Sequence, residues 1–333
     1  MLYFFQFLSH LNRLRPNNYI YLKHTILMLK TFLFSAFRST ARVFSGHGLR
    51  DRFPLVDRIY KRVNRGLVPR TAQVHGYTMY LDQDDSMGLA LDGVYEARET
   101  ELVSRLIRPG FVVLDLGANI GYYSLLFAKL VGPNGHVFAF EPDPATFELL
   151  QKNINENHCS NVTAFPLAVS NANCGARLYR DRFNNLDHRV IQPEQECTIV
   201  EVEAVRLDEF LPGYLSGTID FVKMDIQGAE GMALTGMRTL LTKPDRIMLL
   251  TEYWPMGLEE SGVGPEAFLR ELHLMGFRVF DLQGGAGSCG ETIVHDLIRR
   301  YPKANPTHTN LLCIRGMGDD SDIRRLLSQL TTR

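Results

Sequence analysis

Four carboxylates in this sequence stand where an apolar run gives way to a turn. Asp115 follows Phe111 to Leu114, Glu141 follows His136 to Phe140, Asp225 follows Ile219 to Met224, and Glu252 follows Arg246 to Thr251. Short apolar, β-branched runs of this kind read as buried parallel strands. In an open α/β sheet, ligands sit beyond the carboxyl ends of such strands. Acids gathered there can accept hydrogen bonds from hydroxyls, stabilise cations and take a proton from a reacting group. Lys223 lies two residues before Asp225, on the same face of its strand, where its charge favours the ionised carboxylate. Glu230 falls in the first turn of the next helix, a position that the helix dipole favours for an acid. Asp225, Lys223, Glu252 and Glu230 are therefore the candidate catalytic residues. Each also has a plainer use, as an ion pair, a loop cap or a helix N-terminal acid. Two carboxylates without a histidine make no metal set. His308 qualifies as a base only if the last strand runs antiparallel and starts at the same edge.

The first of these acids opens the stretch DLGANIGYYS, residues 115–124. Gly117, Asn119 and Gly121 let the backbone turn tightly and approach a ligand, and a helix from Tyr122 to Leu130 then points free N–H groups into the same space. Strand, glycine-rich turn and helix make the first half of a nucleotide-binding βαβ unit. Glu141 follows Gly121 by about twenty residues, the spacing at which an acid accepts both hydroxyls of a ribose. The turn reads G-A-N-I-G, tighter than the G-x-G-x-x-G of dinucleotide binders. It leaves less room for a pyrophosphate and suits an adenosyl group with a small zwitterionic tail, which is S-adenosylmethionine. The cofactor-binding candidates are Asp115, Gly117, Asn119, Gly121, Glu141 and Asp225. An NAD(P)-dependent oxidoreductase on the same core and a non-catalytic donor-binding scaffold are the rival readings.

These residues need a scaffold, and the surrounding pattern supplies one. An amphipathic helix is expected over Gly93–Ile107, stopped by Pro109-Gly110. A helix follows from Ala145 to Asn157, with Pro144 near its first turn, and then a third strand from Asn161 to Val169. Helices are also expected over Ala229–Leu241 and Pro265–Met275, and strands over Val74–Leu81, Phe277–Leu282 and Asn310–Arg315. Alternating short strands and helices predict an α/β fold with a doubly wound, Rossmann-like sheet. Residues 171–205 break the rhythm: ARLYRD and CTIVEVEAV alternate like an antiparallel hairpin around a polar loop, Phe183–Gln195. Such an insertion beside the site commonly chooses the substrate. A glycine-rich loop (284–291) and a surface helix (Ser321–Leu330) complete the expectation.

Composition bounds the rest. The 333 residues suffice for a large core, and 45% hydrophobic with 22% charged residues is globular usage. The net charge of −1 hides an asymmetry. Residues 1–70 carry thirteen Lys and Arg against two acids, a net of +11, and the remainder carries 23 basic against 35 acidic residues, a net of −12. Residues 1–70 are thus expected to be a basic, apolar helical extension and linker, and 71–333 the Rossmann-like domain, with its core at 90–315. The segment Tyr19–Phe37 is interrupted by Lys23, His24 and Lys30, so it does not make a spanning helix. Residues 1–45 point instead to peripheral contact with an anionic membrane surface. No recognition helix or stacking platform for nucleic acid is visible. Five widely spaced cysteines with no C-x-x-C point to a reducing, cytoplasmic setting. Oligomeric state is not readable from the pattern.

Several stretches in order, DLGANIGYYS (115–124), FAFEPDP (138–144), NVTAFPLAVS (161–170), FVKMDIQGAE (221–230) and TEYWP (251–255), resemble the FkbM-family methyltransferases. The resemblance spans roughly residues 90–315 and leaves residues 1–70 outside it. It implies a class I S-adenosylmethionine-dependent methyltransferase, acting on oxygen of a sugar, glycan or other small metabolite. Gly117, Asn119 and Gly121 would then line the donor turn and Glu141 would hold the ribose. Lys223, Asp225, Gly228 and Glu230 match the family's K-x-D-x-x-G-x-E pattern. Gln227 departs from it, standing where the family's usual pattern has Glu, which alters local charge.

Overall fold

The computed structural model describes residues 69–181, 188–189, 197–283, 294–316, 325 and 327–329. The basic extension, most of the hairpin loop, the glycine-rich loop and most of the expected tail helix lie outside the described residues. Two units are distinguished. Among the described residues the first comprises 69–74 and Met79–Gly93, and the second His75–Thr78 and 94 onward. A single strand was expected over Val74–Leu81. The chain instead turns at His75 and Gly76, both at positive φ, and gives β1 (Thr71–Val74) and β2 (Tyr77–Tyr80).

The second unit holds the main sheet. Its strands are β3 (Val112–Leu116), β4 (His136–Phe140) and β5 (Val162–Phe165). β6 (Leu167–Ser170), β7 (Cys174–Asp181), β8 (His188–Arg189) and β9 (Cys197–Arg206) build a second sheet. The main sheet resumes with β10 (Phe221–Met224), β11 (Ile247–Tyr253), β12 (Arg278–Asp281) and β13 (Thr309–Arg315). Its seven strands lie in the order β12-β13-β11-β10-β3-β4-β5. β11, β10, β3, β4 and β5 pair in parallel, and β13 runs antiparallel between β11 and β12. The chain winds outward from β3 in one direction and from β10 in the other. The crevice beyond their carboxyl ends is thus the switch point where such sheets bind ligands.

The parallel strands are apolar because helices cover both faces. Leu114, Val222 and Leu249 are fully buried beside Phe268, Leu272 and Met237, and a parallel strand buried on both sides carries no polar alternation. Between the strands run the helices Ala97–Leu106, Tyr122–Val131, Pro144–Glu156 and Pro265–Leu274.

Three further expectations are corrected. The single strand over Asn161–Val169 is two strands in different sheets, because Pro166 lacks an N–H and cannot continue the ladder. The helix over Ala229–Leu241 is two short helices, Glu230–Gly236 and Arg238–Thr242. At the break, Gly236 lies so close to the Ser170 carbonyl that a Cβ would come within 2.0 Å of its oxygen. The helix expected over Gly93–Ile107 begins at Ala97, since Glu96 adopts a left-handed conformation at its N-cap. The insertion is an antiparallel β7–β9 pair, with Cys174 opposite Ala204 and Asp181 opposite Cys197.

Candidate functional site

The first half of the site is held by backbone. The β3–β4 register sets Asp115 beside Ala139, and the chain leaving β3 folds back so that the N–H groups of Gly117 and Ala118 both donate to the Phe140 carbonyl. Asn119 takes φ +49°, and its backbone N–H donates to Glu141 Oε2 at 2.9 Å. Glu141 Oε1 accepts from the Asp143 N–H at 2.9 Å. Burial raises the Glu141 carboxyl to about 7, against the pull of those two N–H groups. Gly121 caps the helix Tyr122–Val131 at φ +95°. Gly117, at φ +80°, has a reason the sequence did not disclose: a Cβ there would stand 1.9 Å from the Asp225 carbonyl oxygen.

Asp115 is fully buried. Its Oδ2 accepts from the Ser124 hydroxyl at 2.6 Å, and its Oδ1 has no partner. Burial pushes this carboxyl up, with Lys223 acting in the opposite sense. An orphaned oxygen in so buried a place suits a ligand that brings a donor or a positive charge.

The second half is held by side chains. The register between β3 and β10 puts Lys223 opposite Asp115. The Lys223 ammonium is 3.3 Å from Asp225 Oδ2 and 4.7 Å from the centre of the Tyr123 ring. Burial works against its charge, but Asp225, Asp115 and Glu96 more than offset that and hold it well above the ordinary lysine value. Gln227, at φ +53°, donates its amide to Asp225 Oδ1 at 2.8 Å and to Glu252 Oε2 at 3.4 Å. A Glu at that position would bring a third carboxylate against these two. Glu252 lies inside β11, one residue before its end, opposite Asn310. Burial and the neighbouring Asp225, Glu230 and Glu96 hold it well above the usual carboxylate range.

The remaining sequence candidates are placed differently. Glu230 is fully buried and its Oε1 accepts from the Ile226 N–H at 3.0 Å, closing the turn after β10. Its Oε2 has no partner, and burial raises the group to about 7. His308 is exposed, just ahead of an antiparallel β13. Among the described residues no group of three or more His, Cys, Asp or Glu is placed to hold a metal ion.

The sequence reading missed Tyr123 and Glu96. The Tyr123 hydroxyl donates to Glu96 Oε2 at 2.8 Å. Burial raises the Glu96 carboxyl to about 7, and Lys223 and the Tyr123 hydroxyl pull against it. Glu96 comes before the first core strand, and nothing in its spacing ties it to Lys223. The weak signal available was a Glu immediately ahead of an amphipathic helix.

Comparison with known proteins bears on what this arrangement does. The model of the Methyltransferase FkbM domain matches residues 115–279. The 2-O-methyltransferase NoeI of Sinorhizobium fredii is 28% identical over 184 residues, 51% of this chain and 74% of that protein. Methyltransferase 1 of Beauveria bassiana is 29% identical over 38% of this chain and 57% of its own length. The 31-O-demethyl-FK506 methyltransferase FkbM of Streptomyces tacrolimicus is 53% identical over 159 residues, 39% of this chain and 61% of that protein. The alignments to the last two thus span less than two thirds of those proteins.

Proposed function

We propose that this chain is a methyltransferase of the FkbM family, whose domain model matches residues 115–279, and that it transfers a methyl group to a hydroxyl of a sugar, glycan or other small metabolite. The observation that carries the reading is the switch-point crevice. There, backbone-held Glu141 and orphaned Asp115 meet the Lys223–Asp225–Glu252 group. Oxygen as the acceptor atom is favoured by the names of two relatives, a 2-O-methyltransferase and a 31-O-demethyl-FK506 methyltransferase.

The donor is S-adenosylmethionine, which supplies a methyl group activated by a sulfonium. The residues present fit it. Glu141 and the turn Gly117–Gly121 would hold the ribose, and Asp115 would offer its free oxygen to the cationic tail. Asp225 would accept the proton of the acceptor hydroxyl, with Lys223 fixing its orientation. Glu252 shares the Gln227 amide with Asp225 and would stand as second acceptor. Glu230 would keep the turn after β10 closed. The β7–β9 pair is the proposed acceptor-selecting insertion.

Calorimetric titration with S-adenosylmethionine, then transfer of labelled methyl into pools of sugars, lipids and small metabolites, tests this. Saturable donor binding with label in a hydroxylated product supports it. Binding of NADH instead would overturn it in favour of the oxidoreductase. Among the described residues no helix is long and apolar enough to cross a membrane. The net charge of residues 1–70 favours contact with anionic membranes, and the five cysteines without a C-x-x-C favour a reducing, cytoplasmic setting. Co-sedimentation with anionic liposomes, lost on deleting residues 1–70, is the expected result.

A further inference from the structure

The crevice carries more negative charge than its visible partners balance. Glu96, Asp115, Asp225 and Glu252 all act on one another or on Lys223, the cation they share. Asp225 is already engaged by Lys223 and Gln227, and Asp115 by Ser124. Glu96 accepts from the Tyr123 hydroxyl on Oε2 and is also hydrogen-bonded to Tyr95. It is held there by a left-handed backbone, φ 44° and ψ 62°, that a side chain rarely adopts. Buried Asp115 Oδ1, with no partner, faces the same charge cluster. S-adenosylmethionine carries a sulfonium, an ammonium and a carboxylate, a net charge of one positive. Its demethylated product, S-adenosylhomocysteine, is neutral overall. The two share the ribose, adenine, ammonium and carboxylate, so Glu141 meets both alike. They differ in charge at the sulfur.

We propose that Glu96 stands against the donor's sulfonium, and that it biases this site toward the charged donor and against the neutral product. The assignment rests on the methyltransferase reading and adds a residue outside the family's motifs. The groups facing Glu96 are Lys223 from β10, Asp225 from the turn after it, Glu252 from β11, Tyr122 and Tyr123 from the helix Tyr122–Val131, and Tyr95 and Glu99 on its own segment. Lys223 alone among these is a cation. Since burial brings Glu96 to about 7, a fraction of it is protonated near neutral pH. A cation placed beside it favours the ionised form. Donor binding therefore expels a proton that product binding does not, and the donor-to-product affinity ratio rises with pH through about 7.

Calorimetry of the full chain with S-adenosylmethionine and with S-adenosylhomocysteine, in two buffers of different ionisation enthalpy, reads both effects. Wild type releases more protons with the donor than with the product. Glu96→Gln abolishes the difference and lowers the donor-to-product affinity ratio about tenfold, the scale of one charge pair in a partly wet site. Tyr123→Phe keeps the charge and removes a hydrogen bond to it, so it moves the pH midpoint of the ratio upward while the ratio above pH 9 stays near wild type. That variant carries the test if Glu96→Gln does not fold. An unchanged ratio in folded Glu96→Gln, or an unmoved midpoint in Tyr123→Phe, overturns the assignment while leaving donor binding intact. Wild type that binds neither ligand overturns the methyltransferase reading, and this inference with it.

Discussion

The turn after β3 and the turn after β10 are built to the same plan and satisfied in opposite ways. Each leaves a buried strand through residues at positive φ, Gly117, Asn119 and Gly121 in one and Gln227 and Gly228 in the other, and each enters a helix. In the first, the carboxylate that counts, Glu141, has both oxygens held by backbone N–H groups. In the second, Asp225 is held by side chains, the Lys223 ammonium and the Gln227 amide. Backbone donors are fixed by the fold, so the first turn presents a rigid acceptor suited to neutral hydroxyls. Side-chain donors can reorganise and be displaced, so the second turn suits a step in which charge and a proton move.

That contrast is most directly broken at Asp225. Asp225→Asn keeps the shape and removes the negative charge. Once an acceptor is identified, turnover is expected to fall roughly 10²–10⁴-fold, the range of a lost general base, with donor affinity nearly unchanged. A parallel loss of affinity would move Asp225 into the donor-binding turn. Gly117→Ala tests the junction of the two turns. With φ +80° and a Cβ directed onto the Asp225 carbonyl oxygen, it should lower stability by roughly 2–4 kcal/mol in chemical denaturation. A stability near wild type would mean that the turns are not wedged together.

Glu141→Ala should weaken the donor and its demethylated product equally, by roughly 1.5–3 kcal/mol for each charged hydrogen bond lost. Isothermal titration with both ligands checks this, and an unchanged dissociation constant refutes the ribose assignment. The smallest expected effect is on pH dependence without ligand. Glu141 and Glu230 are each raised to about 7 by burial. An acid whose folded value lies above its unfolded one binds more protons when folded. Stability from these groups is therefore present at pH 4 and falls as pH rises toward 7, by on the order of 1 kcal/mol per group. Glu230→Gln should flatten this slope in urea denaturation between pH 5 and 8.

Much of this was legible because it is local. Strand ends, the glycine turn and the Lys223–Asp225 spacing each depend on a few consecutive residues, and period and turn chemistry report them directly. The breaks were less legible. Pro166 sends one apolar run into two sheets, and the nearby Ser170 carbonyl requires glycine at 236, where the first of two short helices ends. Glu252 was expected at a strand end and stands inside β11, because pairing with β13 carries the ladder on to Tyr253.

By itself, the sequence determined the α/β class, the glycine turn after β3 with Glu141 after β4, and the acid–lysine pair at the end of β10, since each is written within one strand–turn–helix unit. Only the tertiary structure decided which groups share one field. Glu96 reaches the Tyr123 hydroxyl across 27 residues, Gln227 spans 25 to touch Glu252, and Gly117 owes its identity to a carbonyl 108 positions away. Charge acts through space rather than along the chain, so the electrostatic character of this crevice exists only once β3, β10 and β11 lie side by side.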